Sequence, residues 1–379
     1  MSQDMGRIES MATQVRSYSK INLGLAIGPV RGDGFHGLAT LYQTLALHDI
    51  VTVTARLVGA GGAKITLTTN HAEVPTDARN TAWKMVERVL AQMGVNAEVT
   101  IHIEKRLPVQ GGMGAGSANA AAALIGLERE LGVALPEAER LEIAAEVGSD
   151  VPLFLVGGAV MGVERGEIVS PMRDLPATAC VIAVPEIGVS TPRAFRDWDE
   201  RKGQGAVGLT SDPRPDRLEK LSHVYASVLG DCSKADQTPD PSGIVRGRGL
   251  EIKQGGLEDE SSERGSTWNG LAENTLLALV RTGIENDFES VVFPQYPLLR
   301  EIKRLLMGPP AGVSSGTTGD SSGDAIVAAL SGSGSALFGL YRSTEDARAA
   351  QQRVQAAGCK ALLTETLPRQ QYWRTMFAE

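Results

Sequence analysis

Four stretches of the chain carry residues whose types and spacing could do chemistry. The segment Pro108-Val109-Gln110-Gly111-Gly112-Met113-Gly114-Ala115-Gly116-Ser117 is a glycine-rich loop that runs into an alanine-rich helical segment. Glycines let successive backbone N–H groups turn into one concavity, and the helix behind it adds its positive end, so the segment suits a phosphate. Ser117 and Asn119 would add short polar side chains at that mouth. No lysine follows Gly116, so this is not a GxxxxGK[ST] loop. The same composition also fits a plain loop before a core helix.

Asp150, in Gly148-Ser149-Asp150-Val151-Pro152, could take a hydroxyl proton during phosphoryl transfer, or could cap a short helix. Lys20 could stabilise charge on a transferring phosphoryl group, or be a solvated lysine at a strand edge. Asn22 is either a ligand-binding amide or a polar residue at a strand end. Phe35 and His36 could stack on a nucleobase and hydrogen-bond its edge, or anchor a hairpin loop. Phe195 could be a second ring or a core residue. The five histidines form no HExxH or similar pair, so a histidine metal site is not expected.

Elements at the right places would position these groups. Residues 17–25 alternate like a strand, and the glycines of 31–36 mark a turn. Strands are expected at 50–55, 63–68 and 97–104, and a helix at 81–93. Behind the glycine loop, Ala120, Leu124, Leu127 and Leu131 share one helical face. A second helix over 137–147 ends at Gly148, a suitable residue to follow it. The domain division falls near Met172: a tail at 1–14, a first domain at 15–172, and a second at 173–379. Strand 179–184 opens the second domain, whose helices are expected at 271–281 and 297–306. A strand, glycine turn and strand follow at 326–341. Residues 201–270, with one weak helix near 216–229, and residues 312–323 read as insertions rich in small and polar residues.

The whole chain sets the bounds. Its 379 residues fit two domains, and 42% apolar with 22% charged residues is an ordinary globular composition. A net charge of −8 argues against nucleic acid as a partner. Cys180, Cys232 and Cys359 match no disulfide framework or zinc spacing, which points to a reducing cytoplasm. The first 14 residues lack a signal-like apolar core, and no run approaches the roughly 20 apolar residues of a membrane span, so no membrane partner is expected. The oligomeric state is not legible.

These blocks, in this order, resemble the GHMP kinase superfamily, and within it the kinases acting on a cytidine-diphosphate-linked methylerythritol in non-mevalonate isoprenoid synthesis. Ser19-Lys20-Ile21-Asn22-Leu23 resembles their A-K-I-N-L. Asp33-Gly34-Phe35-His36 with Tyr42-Gln43-Thr44 resembles D-G-Y-H and F-Q-T. Residues 108–121 resemble P-x-G-G-G-L-G-G-G-S-S-[ND]-A-A, and Gly148 to Pro152 resembles G-A-D-V-P. Asn286-Asp287-Phe288-Glu289 and Ser331-Gly332-Ser333-Gly334-Ser335 resemble N-D-L-E and the third superfamily motif.

The resemblance implies a two-domain α+β fold, with a ribosomal-protein-S5-like first domain and a ferredoxin-like second one. ATP and substrate would meet in the cleft between them. It implies that Asp150 is the base and Lys20 its assistant, and that Pro108 and the loop from Gly111 through Gly112, Met113, Gly114, Ala115 and Gly116 to Ser117 hold ATP with Mg²⁺. Phe35, His36 and Phe195 would form a cytosine pocket with the two phenyl rings on either side of the base. Asn22 would lie near the reacting hydroxyl, and Gly332 and Gly334 would close on the substrate phosphates. The implied substrate is a small cytidine-diphosphate-linked polyol. Rival expectations are a homoserine or mevalonate kinase of the same superfamily, a non-catalytic nucleotide-binding protein, or an RNA-binding module. Gln110, Met113, Ala115 and Ala118 depart from the pattern: Ala115 is compatible only with a position that does not need positive φ, and Ala118 leaves Ser117 as the one serine of its pair.

Overall fold

The computed structural model describes residues 12–59, 62–109, 111–205, 285–308 and 324–378. Gln110, residues 1–11, the expected helices near 216–229 and 271–281, and the patch 312–323 lie outside the described residues.

The first sheet is built on one long antiparallel hairpin, β1 (Thr13–Val30) and β2 (His36–Leu57). Strand β2 absorbs both the expected turn residue His36 and the expected strand 50–55. Its length is hard to see in sequence because Gln43, Thr44 and Asp49 interrupt the apolar pattern. All three are buried and bonded: Gln43 and Thr44 donate to the Leu367 carbonyl, and Asp49 accepts from the Arg106 and Leu107 amides. The pairing of β1 with β2 shifts register between Tyr18 and Ser19 and between Asn22 and Gly24. Lys20 and Asn22 lie between these two irregularities, two residues apart and so on one face of the strand.

Strands β3 (Lys64–Thr69) and β4 (Ala97–Glu104) extend the sheet beyond β2, while β5 (Ala159–Glu164) pairs with the other part of β2 and with β6 (Ile168–Pro171). Helices α1 (Thr81–Met93) and α2 (Ala115–Leu131) pack on this sheet, and α3 (Glu137–Val147) packs against α1. The alanines of α2 have a packing reason. Every residue from Ala118 to Glu128 is buried, and a Cβ on Gly126 would sit 2.7 Å from Val53 Cγ2. Only small side chains allow a helix this near a sheet. Gly148 follows α3 with extended backbone at φ 176°, not as a left-handed cap.

The second sheet holds β7 (Ala179–Val184), β8 (Ala325–Leu330), β9 (Leu337–Tyr341) and β10 (Lys360–Glu365), in the order β10-β7-β9-β8. Helices α4 (Thr191–Gly205), α5 (Glu289–Gln295), α6 (Pro297–Met307) and α7 (Thr344–Ala356) accompany it. The chain then returns to the first sheet through α8 (Arg369–Arg374) and β11 (Phe377–Ala378), which pairs with β1 at Gln14 and Val15. Between the two sheets lies an apolar layer that includes Ile21, Leu41, Met113, Ile182 and Phe338. It joins the two halves and fixes where their loops meet. Among the described residues, no helix is long and apolar enough to cross a membrane.

Candidate active site

Lys20 is buried, and its ammonium has two hydrogen-bond acceptors with a carboxylate beside them. Nζ donates to Asn22 Oδ1 at 2.7 Å and to the Gly112 carbonyl at 2.7 Å, and lies 3.3 Å from Asp150 Oδ2. Asn22 is itself oriented, because its Nδ2 donates to Thr40 Oγ1 and that hydroxyl donates to the Gly24 carbonyl. The amide oxygen is thereby left facing the lysine. Asp150, with its side chain 33% exposed, is the member of this set that reaches the cleft. It does not cap the short 3-10 turn Pro152–Leu155, whose first residue is preceded by Val151 without any side-chain cap. Its second oxygen, Oδ1, accepts from the Tyr42 hydroxyl at 3.0 Å. Burial, and then the charge of Asp150, push the Tyr42 phenol well above its ordinary value.

The glycine loop wraps this lysine. Gly112 and Gly114 have φ of 74° and 70°, a region that favours glycine. A Cβ on Gly114 would lie 3.0 Å from Phe154 Cζ and 3.1 Å from Lys20 Cγ. Met113 is buried under the loop, and its carbonyl accepts from the Lys20 amide. Ala115 is the first residue of α2 and has no positive φ, so its methyl is accommodated. The first amides of α2, at Ala115, Gly116 and Ser117, have no partner one turn back in the helix and are suited to an anion. Ala118 points into the apolar core rather than toward this mouth. Asn119 does not sit at the mouth either. It is buried and donates to Asp49, which also forms an ion pair with Lys105. That cluster pins the segment of Arg106 and Leu107 leading to Pro108 and the loop.

A loop of the second sheet closes on the first. Ser331 Oγ donates to the Gly112 carbonyl at 3.0 Å, and the Ala336 amide donates to the Gly111 carbonyl at 3.2 Å. Gly332 and Gly334 have φ of 57° and 95°, and a Cβ on Gly332 would stand 3.5 Å from Asn22 Oδ1. Sequence reasoning did not foresee what holds this loop. Asn286 Nδ2 donates to the carbonyls of Leu330 and Gly332, Asp287 Oδ2 accepts from the Ile27 amide, and Glu289 Oε1 accepts from the Leu330 amide. The Asn286-Asp287-Phe288-Glu289 block therefore ties β1, β8 and the glycine turn together. Its motif was visible; its clamping role depends on contacts remote in sequence.

The aromatic corner lies at the far end of β2. His36 stacks on Phe195 with ring centres 4.9 Å apart and planes 14° apart, and Phe195 meets Phe288 edge-on. His36 Nε2 is 2.7 Å from Asp199 Oδ1, and because a carboxylate only accepts, that nitrogen carries the proton. Phe35 is 55% exposed, with the Arg165 guanidinium 5.3 Å over its ring. His36 and Phe195 are thus together, and Phe35 stands apart from them. Among the described residues, no group of three or more His, Cys, Asp or Glu gathers as a metal centre.

Residues 80–158 match the GHMP kinases N terminal domain, and residues 271–360 match the GHMP kinases C terminal family. A 4-diphosphocytidyl-2-C-methyl-D-erythritol kinase of Rhodococcus jostii (strain RHA1) is 39% identical over 214 residues, which cover 56% of this chain and 66% of that protein. One of Synechococcus sp. (strain JA-2-3B'a(2-13)) is 30% identical over 365 residues, covering 95% of this chain and 92% of that protein. In fold, the chain is similar to the crystal structure of a 4-(cytidine 5'-diphospho)-2C-methyl-D-erythritol kinase, with a TM-score of 0.59, 22% identity, and coverage of 93% of this chain and 98% of that one. It is equally similar to a homoserine kinase from Cytophaga hutchinsonii, with a TM-score of 0.60, 18% identity and 96% coverage of each chain. The chain has the two-domain α+β architecture of these kinases and belongs to the GHMP kinase family, whose fold implies ATP-dependent phosphoryl transfer to a small-molecule alcohol.

Proposed function

We propose that the protein transfers the γ-phosphoryl group of ATP to the 2-hydroxyl of 4-(cytidine 5′-diphospho)-2-C-methyl-D-erythritol. The observation that carries this reading is the placement of the Lys20–Asp150 pair, 3.3 Å apart, between the glycine loop and the aromatic corner. A hydroxyl held beside Asp150 loses its proton to the carboxylate as its oxygen bonds to the γ-phosphorus, and the bond from that phosphorus to the β-phosphate oxygen breaks to release ADP. Lys20 lies where negative charge develops and needs no reorganisation to meet it. The amides of Ala115 to Ser117 would receive the phosphates. Mg²⁺ would be carried mainly by the triphosphate, with the Ser117 hydroxyl as an oxygen ligand the chain can offer, and it would supply charge neutralisation.

Support for the cytidine-linked substrate comes from the relatives' names and from the His36 and Phe195 pair. A second reading is a GHMP kinase for an acceptor without a base, such as homoserine or mevalonate. The stacking of His36 on one face of Phe195 favours it, because that face is already covered. Competition separates the two: cytidine monophosphate inhibits the first enzyme competitively with its acceptor, and leaves the second untouched.

A further inference from the structure

Tyr42 lies in β2, paired with Asn22 on one side and Val160 on the other, and its side chain is fully buried. A buried phenol hydroxyl needs a partner, and among the described residues its acceptor is Asp150 Oδ1 at 3.0 Å. The two oxygens of Asp150 are consequently held by different groups: Oδ1 by a neutral hydroxyl, Oδ2 by the Lys20 ammonium. An aspartate χ2 is otherwise broad and roughly two-fold, so two such anchors select one carboxylate orientation.

The tyrosine ring has no freedom to follow the carboxylate elsewhere. A Cβ on Gly162 would stand 2.6 Å from Tyr42 Cε2, and one on Gly166 would stand 2.5 Å from the Tyr42 oxygen. Gly166 also has φ of 97°. Absence of a side chain at these two positions forms the slot into which the ring fits. The groups facing the hydroxyl are Asp150, the Lys20 ammonium over the ring at 5.6 Å, and the charge of Glu167. The hydroxyl donates its one proton to Asp150 Oδ1 at 3.0 Å, and the ring slot leaves that direction fixed.

We propose that Tyr42 is a positioning residue for the reaction: its hydroxyl, fixed by the Gly162 and Gly166 slot, aims the Asp150 carboxylate at the acceptor. This rests on Asp150 being the base. Tyr42→Phe keeps the ring and removes only the hydroxyl. It lowers kcat by roughly 10- to 100-fold, the loss expected when a hydrogen bond to a charged group is removed. The KM values for ATP and acceptor stay within about twofold, because no substrate contact is lost. A purely structural tyrosine would instead lower the melting temperature and leave kcat of the folded enzyme alone.

The experiment measures wild type and Tyr42→Phe side by side, first with the cytidylylated methylerythritol. Lack of wild-type turnover with it rejects the substrate reading only, and the pair is then compared on whichever acceptor the wild type phosphorylates. A second arm needs no acceptor: NMR of the full chain labelled with ¹³Cζ-tyrosine, with the Tyr42 signal identified by its loss in Tyr42→Phe. That signal moves in Asp150→Asn, because its acceptor has lost its charge. A kcat for Tyr42→Phe within twofold of wild type, or a Tyr42 signal unchanged by Asp150→Asn, overturns the proposal.

Discussion

Gly112 and Ser331 meet backbone to backbone: a Cβ on Gly112 would collide with the Ser331 carbonyl oxygen, while the Ser331 hydroxyl donates to the Gly112 carbonyl. The glycine loop of one half and the glycine turn of the other are therefore a single packed unit, and the same Gly112 carbonyl accepts from Lys20. Gly112→Ala should cost about 1–3 kcal/mol through the positive φ and the lost approach. Gly116→Ala is the control, since its Cβ would meet only Thr81 Oγ1 at 3.6 Å. Thermal unfolding of the two variants checks this, and equal melting temperatures would count against the packed unit.

Asp150→Asn keeps the shape and the contact with Tyr42 while removing the basic oxygen. Turnover should fall by about 10²–10⁴, the usual contribution of a positioned base, while ATP affinity changes little. A coupled ADP-release assay and calorimetric titration with ATP measure the two quantities. Loss of ATP binding in parallel would mean that Asp150 serves the nucleotide rather than the proton.

Asn286→Ala leaves the carbonyls of Leu330 and Gly332 without their donor. The expected cost is about 1–3 kcal/mol in urea unfolding, because buried carbonyls are left unpaired. The acceptor KM should rise as the turn containing Gly332 and Gly334 loosens. An unchanged KM would separate that turn from substrate binding.

Between pH 7.5 and 5.5, His48 contributes to the pH dependence of stability. Burial is the main cause lowering the His48 pKa from 6.5, with Arg16 and Arg106 adding to it against the Ala46 carbonyl and Asp49. The folded histidine resists protonation while the unfolded one does not, so its contribution is full above pH 6.5 and is lost as pH falls toward the lowered value. Denaturation at pH 7.5 and 5.5 should show wild type losing more stability than His48→Asn over that interval. Equal losses would remove His48 from the account.

What could be read in the sequence divides along physical lines. Lys20, Asn22, Asp150 and the glycine loop stood out as candidates in short local patterns, and the structure brings them together. Alternation along 17–25 and the helical face of Ala120, Leu124 and Leu127 gave the elements that present them. Partners set by strand pairing were not legible: Tyr42 reaches Asp150 only because β2 pairs with β5 over the Gly162 and Gly166 slot. Asn119 looked exposed at the loop mouth because a helix start is usually solvated, yet α2 lies too close to the sheet for that. The return of Phe377 to β1 left no local signal, since a two-residue strand has no periodicity.

We propose that this chain phosphorylates an alcohol carried on a cytidine diphosphate. The measurement that tests it most directly is ADP release with ATP and Mg²⁺, comparing the cytidylylated methylerythritol with mevalonate and homoserine under the same conditions. The account predicts turnover confined to the cytidylylated substrate and competitively inhibited by cytidine monophosphate. Turnover of mevalonate or homoserine instead, insensitive to cytidine monophosphate, would contradict it.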